Sequence, residues 1–302
     1  MNAQKIAVIY NPKGGSASKS KLCALTSSFS AKGIAVELLP TTALSGSTAK
    51  LAHSAAVRGA DLVIAFGGDG TAQQVAEGLN GTGAIMAVYP GGTGNLFARA
   101  FYADPTPEEF AEMVLSGTPQ PIDMIAAEYT DTQEVLHKHL ILVGLGLGTL
   151  SDAISSASPA LKRIFGRLTY VAKVIAACFW LEAPRFFLQS HKGPQSVKTA
   201  GLFVLNVAPS MLPSVSRGCN ASDGLMDVVI LKAGNIWQLF SVVFCLAFSR
   251  PERSKYYLRF RTRVLIVKYN EPRLPNIDGD SGTPTKEIKL SVKPAAVKMV
   301  LA

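Results

Sequence analysis

The segment Ala65-Phe66-Gly67-Gly68-Asp69-Gly70-Thr71 constrains this chain more than any other stretch. It follows the apolar run Leu62-Val63-Ile64, which reads as a buried strand, and precedes Ala72 to Leu79, which reads as a helix. Glycines at a strand-to-helix turn let backbone N–H groups approach a ligand, and the positive end of the following helix then faces it. An anion, most often a phosphate, is the natural occupant. A carboxylate beside a phosphate cradle is repulsive unless a cation lies between, so Asp69 points to a Mg²⁺-nucleotide rather than a bare phosphate. The competing reading is an ordinary tight turn, where Gly and Asp are common.

The surrounding pattern favours the phosphate reading. Strand-like Lys5–Tyr10, Ile34–Leu39, Leu62–Phe66 and Ile85–Tyr89 alternate with helix-like Ser18–Lys32, Ser47–Arg58, Ala72–Leu79 and a helix opening over Asn95–Phe101. Strict alternation implies a parallel sheet covered on both faces, with ligands at the carboxyl ends of its strands. Three Gly-rich turns follow strands there: Asn11-Pro12-Lys13-Gly14-Gly15, Gly67 to Thr71, and Pro90-Gly91-Gly92-Thr93-Gly94-Asn95. All three would share one rim, which is much stronger than any single motif.

Past about Asp123 the character changes. Val-, Ile-, Phe- and Tyr-rich runs at His139–Val143, Arg185–Leu188, Gly201–Asn206, Met226–Leu231, Arg263–Tyr269 and Ile288–Val292 read as strands. Helix-like Arg167–Trp180 and Ile236–Ala247 interrupt them. The expectation is an α/β domain over residues 1–123 and a mainly β domain over 124–294, with the boundary near Gly117–Pro121.

Composition excludes several classes. Hydrophobic residues make up 48 % and charged residues 17 %, yet no apolar run reaches the ~18 residues of a membrane span. The longest, Ile236 to Phe248, suits a buried or interfacial helix. A net charge of +9 favours anionic partners. No helix-turn-helix, zinc finger or aromatic RNA-binding strand is visible, so a membrane surface is expected rather than nucleic acid. The four cysteines, Cys23, Cys178, Cys219 and Cys245, show no CxxC spacing and predict no zinc site. Met1 to Lys5 leads into a strand pattern without a secretory leader, so a cytoplasmic location is expected.

The chain resembles the diacylglycerol-kinase catalytic family, which includes bacterial lipid kinases, sphingosine kinases and ceramide kinases. Asn11-Pro12, Gly67 to Thr71, Gly91 to Asn95, Arg167-Leu168-Thr169-Tyr170, Asp223-Gly224-Leu225-Met226-Asp227 and Asn276-Ile277-Asp278-Gly279-Asp280 carry the resemblance in order and spacing. The Gly-Gly-Asp-Gly-Thr turn alone is shared with NAD kinases and phosphofructokinases. The resemblance implies a nucleotide-binding domain of that wider type, a β-sandwich acceptor domain, an active site in the cleft, and a chain end (295–302) that returns to the first domain.

It also implies site roles for an ATP- and Mg²⁺-dependent lipid kinase at the inner face of a membrane. Gly67, Gly68, Gly70 and Thr71 would give N–H groups to the nucleotide phosphates, and Asp69 would hold Mg²⁺ directly or through water. Asn11, Pro12, Lys13, Thr42, Gly92, Thr93, Gly94 and Asn95 would complete the nucleotide site. Asp278 would be the general base on the acceptor hydroxyl, although on local sequence alone Asp-Gly is a hairpin signal. Asp280 stands where the family carries Glu, one methylene shorter. Asp223, with carbonyls at Asn220 and Leu225, resembles a structural metal site of bacterial members, and an Asp-Gly turn competes with that reading. Val207-Ala208-Pro209-Ser210-Met211-Leu212-Pro213 departs from a Gly-rich family stretch and leaves acceptor specificity open. Val171–Trp180 and Trp237–Phe248 are either core helices or a lipid-facing lip assisted by Lys162, Arg163, Arg167, Arg250, Arg253 and Lys255. A sphingoid-base or ceramide kinase, an NAD kinase, and a silent lipid- or nucleotide-binding regulator remain alternatives. Homodimerisation stays open.

Overall fold

A computed structural model describes residues 4–13, 16–42, 44, 46–92, 95–102, 104–155, 183–208, 218–248 and 250–301. The expected helix Arg167–Trp180, the Arg167–Tyr170 motif, Lys162, Arg163, Gly14, Gly15, Thr93, Gly94 and the Pro209–Pro213 part of the loop lie outside the described residues. The protein is mixed α/β and divides into two compact units, Met1–Met124 with Pro294–Ala302, and Ile125–Lys293.

The N-terminal unit runs β1 (Lys5–Tyr10), α1 (Ser16–Ser30), β2 (Ala35–Pro40), α2 (Ser47–Val57), β3 (Leu62–Gly67), α3 (Asp69–Leu79), β4 (Ile85–Pro90), α4 (Leu96–Phe101) and α5 (Pro107–Ser116). Its strands pair in parallel in the order β2-β1-β3-β4. Every residue of β3 is buried, as expected of a parallel strand covered on both faces. Helix α3 begins at Asp69, three residues before the sequence pattern places it, with Gly68 as N-cap. An acidic residue in the first turn complements the positive helix end, so what reads as turn chemistry is also a helix start. Helix α5, absent from the periodicity reading, starts at Thr106-Pro107-Glu108-Glu109 with a complete capping box.

The chain passes into the C-terminal unit within β5 (Pro119–Thr130). There follow β6 (Leu136–Ile141), β7 (Gly144–Leu147), α6 (Thr149–Ser155), β8 (Arg185–Ser190), β9 (Gly193–Lys198), β10 (Gly201–Leu205), β11 (Met226–Leu231), α7 (Ile236–Ala247), β12 (Tyr257–Thr262), β13 (Val264–Arg273), β14 (Asn276–Ile277), β15 (Asp280–Ser281) and β16 (Thr285–Val300). One antiparallel set joins β9, β8, β13 and β16, with β5 pairing β16 and β6. The second runs β12-β11-β10-β7-β14-β15, also antiparallel. Side chains of both sets, among them Ile125, Phe186, Val204, Val228, Val267 and Ile288, share one buried core. The expected strand His139–Val143 overlaps the end of β6, which stops at Ile141, and β7 opens beyond it at Gly144.

The last residues of β16 belong to the N-terminal unit and add to β4 in parallel, Lys298 beside Ile85 and Met299 beside Met86. The Tyr102 hydroxyl donates to the Val300 carbonyl, and Ala295 N donates to Asp123 Oδ1 at 2.8 Å.

Candidate active site

Two polar centres stand out, one in each unit. In the N-terminal unit, register puts Tyr10 beside Phe66 and Gly67 beside Pro90, so β1, β3 and β4 end at one level. Asn11, Gly68 and Gly91 therefore leave from the same rim of the sheet. The turns after β3 and β4 touch backbone to backbone. Gly91 N donates to Gly67 O at 2.9 Å. A Cβ on Gly92 would lie 2.6 Å from Gly68 Cα, and one on Gly67 would lie 2.5 Å from Thr71 Oγ1. The glycines serve close approach here, since neither Gly67 nor Gly92 has a positive φ.

Asp69 ties these turns to the next helix. Its Oδ2 accepts from Leu96 N at 3.0 Å and its Oδ1 from Phe97 N at 2.9 Å. A carboxylate thus satisfies the orphan N–H groups that open α4. Asn95, the buried N-cap of α4 at φ 50°, folds its amide back on the turn. Its Oδ1 accepts from Gly92 N at 3.0 Å and its Nδ2 donates to Gly92 O at 2.7 Å. Each group of that amide makes one bond that fixes the shape of the turn. Asn11 Oδ1 accepts from Lys13 N at 3.0 Å, and the Asn11, Pro12 and Lys13 side chains are exposed. Thr42 donates its hydroxyl to Ser47 Oγ at 2.8 Å near the start of α2.

In the C-terminal unit Asp278 and Gly279 form a two-residue hairpin between β14 and β15, at φ 49° and 97°. Positive φ at both central residues is the requirement of a type I′ turn, so the hairpin reading of Asp-Gly holds. The Asp278 side chain does something further. Its Oδ1 accepts from Val143 N and Gly144 N, and its Oδ2 from Leu142 N, each at 2.8 Å. Its own N–H donates to Gly144 O at 2.9 Å. The same bend is gripped from the other side by buried Asn206, whose Nδ2 donates to Leu142 O at 2.9 Å. Three N–H donors on one carboxylate make charge-assisted hydrogen bonds of the stronger kind. Leu142, Val143 and Gly144 act here through backbone, as Leu96 and Phe97 do at Asp69, so residue type gives no signal of their part. Asp280 is exposed on β15.

The expected metal position at Asp223 takes a different form. Asp223 Oδ1 accepts from Leu225 N at 3.0 Å, and Oδ2 pairs with Arg261 at 2.8 Å. Asn220 Oδ1 accepts from Ser222 N. Asp227, the second acid of that run, is buried against Arg259 Nε at 2.8 Å. The guanidinium of Arg261 stands beside Asp223, so in this structure Asn220, Asp223 and Leu225 form an ion-paired Asp turn. Among the described residues no group of three or more His, Cys, Asp or Glu could hold a metal. At Asp69 the fit to Mg²⁺ is better, because Mg²⁺ in such sites takes one or two carboxylates and completes its shell with substrate phosphates and water.

A family model described as the diacylglycerol kinase catalytic domain matches residues 5–127. The N-terminal unit belongs to the diacylglycerol kinase catalytic-domain family. A diacylglycerol kinase of Bacillus subtilis is 26 % identical over 288 residues, covering 92 % of this chain and 90 % of its own. A protein of Pseudomonas putida described as "Probable lipid kinase YegS-like" is 30 % identical over 194 residues, 62 % of this chain and 61 % of its own. A crystal structure of a diacylglycerol kinase from Bacillus anthracis shares the fold with TM-score 0.75 at 20 % identity, covering 100 % of this chain and 98 % of that one. Yeast NADH kinase, solved with NADH, shares it more distantly, with TM-score 0.58 at 10 % identity, covering 99 % of this chain and 84 % of that one. The family match over the N-terminal unit and these curated relatives support a kinase of the lipid-kinase type.

Proposed function

We propose that this protein transfers the γ-phosphoryl group of ATP to the hydroxyl of a diacylglycerol-like lipid at a membrane surface. The observation that carries the reading is the paired-glycine platform Gly67–Gly68 against Gly91–Gly92, at the N-terminal end of α3, in a unit of the diacylglycerol kinase family. Phosphoryl transfer asks for positioning and electrostatic stabilisation more than for covalent chemistry. Gly68, Gly70 and Thr71, with the N-terminal end of α3, receive phosphate oxygens. Asp69 holds the phosphate turn and the start of α4 in one arrangement. Lys13, exposed on the neighbouring rim, adds positive charge toward the phosphates. Mg²⁺, when bound beside Asp69 and the nucleotide phosphates, supplies neutralisation of the charge that develops on the transferred group.

Asp278 is the proposed base for the acceptor hydroxyl proton. A second role has its own support: the three N–H donors make Asp278 the residue that shapes the Leu142–Gly144 bend. Asp280 and Thr42 are proposed as lesser contributors, through charge and nucleotide contact respectively. A sphingoid-base or ceramide acceptor uses the same parts, and the likeness to yeast NADH kinase keeps NAD on the list of acceptors to be tried. No described helix is long and apolar enough to cross a membrane, and peripheral contact at the cytoplasmic face is the proposed mode.

The test is transfer of labelled γ-phosphate from Mg²⁺-ATP in mixed micelles holding diacylglycerol, monoacylglycerol, sphingosine, ceramide or NAD. Labelled diacylglycerol product that disappears with Asp278→Asn is the expected result. Label on NAD alone would contradict the lipid assignment.

A further inference from the structure

Helix α7 carries an aromatic edge that the fold leaves bare. Trp237, Phe240, Phe244 and Phe248 are 78, 51, 64 and 65 % exposed. At ~100° per residue these positions fall within about 80° of the helix circumference. Leu239 and Val242, on the opposite side, are buried, and Leu246 packs against the cluster of Ala208 and Val229. The exposed rings also pair along the edge, Trp237 with Phe240 at 6.3 Å and Phe244 with Phe248 at 4.6 Å between centroids. No charged residue lies anywhere in the helix. Just past its end, Arg250, Arg253 and Lys255 are exposed with only Glu252 among them.

We infer that this edge of α7 docks the protein on an anionic lipid bilayer. The inference deepens the lipid-kinase proposal and rests on it for its purpose. Contiguous exposed aromatic surface is rare on a monomer and marks an interaction face. Two candidates for its occupant differ in charge. A two-fold contact with a second copy would bring two identical basic clusters to one interface, where like charges oppose each other. An anionic bilayer meets the same cluster with opposite charge. Trp at the end of an apolar stripe suits the headgroup level, where its ring is half wet. At twelve residues α7 is about 18 Å long, too short to span, so it lies along the surface with its buried face still on the protein.

Trp180→Phe leaves Trp237 as the single tryptophan and gives the probe. Vesicles of phosphatidylglycerol with phosphatidylcholine, against phosphatidylcholine alone, are titrated while emission and co-sedimentation are followed. The expected result is a blue shift of Trp237 and binding that prefers phosphatidylglycerol. Replacing Trp237, Phe240, Phe244 and Phe248 together by Ser should weaken vesicle binding about tenfold or more. Arg250→Gln, Arg253→Gln and Lys255→Gln together should remove the anionic preference. Nucleotide binding and transfer to a short-chain acceptor in solution should stay unchanged in both variants. Unshifted Trp237 emission, or vesicle binding untouched by the four serines, would overturn the inference. So would a dimer that the serines split while vesicle affinity holds, which would assign the edge to a second copy. Vesicle binding without phosphoryl transfer to any acceptor would overturn the kinase proposal alone. Transfer in solution without vesicle binding would overturn this inference alone.

Discussion

Asp69 and Asp278 solve the same local problem in the two units, at very different distances along the chain. Each sits at a glycine turn, and each carboxylate accepts backbone N–H groups from another segment. Asp69 reaches Leu96 and Phe97, 27 and 28 residues on. Asp278 reaches back to Leu142, Val143 and Gly144 across 134 to 136 residues. The first joins neighbouring loops of a parallel sheet, where alternation already sets who is adjacent. The second joins a late hairpin to an early bend, and only the completed antiparallel sheet brings them together. Removing either acid should therefore disturb chemistry and architecture at once, in different units.

The largest effect is expected at Asp278→Asn. Loss of a positioned base costs roughly 10²–10⁴ in turnover. The amide also offers one acceptor oxygen where two were in use and points an NH₂ at N–H donors, which should cost about 1–3 kcal/mol of stability. Assay and urea melting together separate the two. A variant that melts normally yet is inactive would assign Asp278 to chemistry alone. One that is destabilised yet turns over near normally would make it a positioning residue.

Gly92→Ala comes next. Its Cβ would sit 2.6 Å from Gly68 Cα, and both are backbone with nothing flexible to yield. A cost of about 1–3 kcal/mol and loss of nucleotide binding are expected. Gly234→Ala, whose added Cβ meets nothing closer than 3.7 Å, should be within about 0.5 kcal/mol of wild type and serves as control. Binding that survives Gly92→Ala would break the platform argument.

Asp69→Asn keeps one acceptor for Leu96 and Phe97 and should cost about 1–2 kcal/mol, felt at the start of α4. Slower hydrogen exchange at Leu96 in the variant than in wild type would contradict this.

The smallest effect is expected at the β5–β6 turn. The hydrogen bond from His137 to Asp131 Oδ2, at 2.7 Å, is the main cause that lowers the Asp131 pKa below its ordinary value. A depressed carboxyl contributes stability that is complete above its unfolded pKa and is lost as pH falls through the folded one. His137→Ala should therefore lower the neutral plateau of the melting profile slightly and flatten its acid limb, with stability below the folded Asp131 pKa unchanged.

This contrast also marks what sequence could and could not reveal. The parallel strands β1 to β4 are legible to within a residue, β1, β3 and β4 because their apolar runs are buried on both faces, and β2, an edge strand with no buried residue, because its run is mostly aliphatic. Helix α3 is displaced at its start because Gly-Asp-Gly-Thr is at once turn chemistry and helix-opening chemistry. Helix α5 was available from Thr106-Pro107-Glu108-Glu109, a signature that periodicity alone passes over. The C-terminal strands are harder. β9 is mostly polar and exposed, and β12 interleaves Arg259 and Arg261 with its apolar residues because those arginines pair with Asp227 and Asp223. The partners of Asp278 were invisible since they donate through backbone. On α7 the sequence is apolar all round, and only packing shows that Leu239 and Val242 face in while Trp237 and Phe244 face out.

The most direct measurement is calorimetric binding of a non-hydrolysable ATP analogue with Mg²⁺ to Asp69→Asn and Asp278→Asn, each paired with a lipid phosphorylation assay. The account predicts that Asp69→Asn weakens nucleotide binding, whereas Asp278→Asn binds nucleotide within about twofold of wild type and transfers almost no phosphate. Nucleotide binding lost equally in both, or retained in Asp69→Asn, would contradict the division of labour between the two carboxylates.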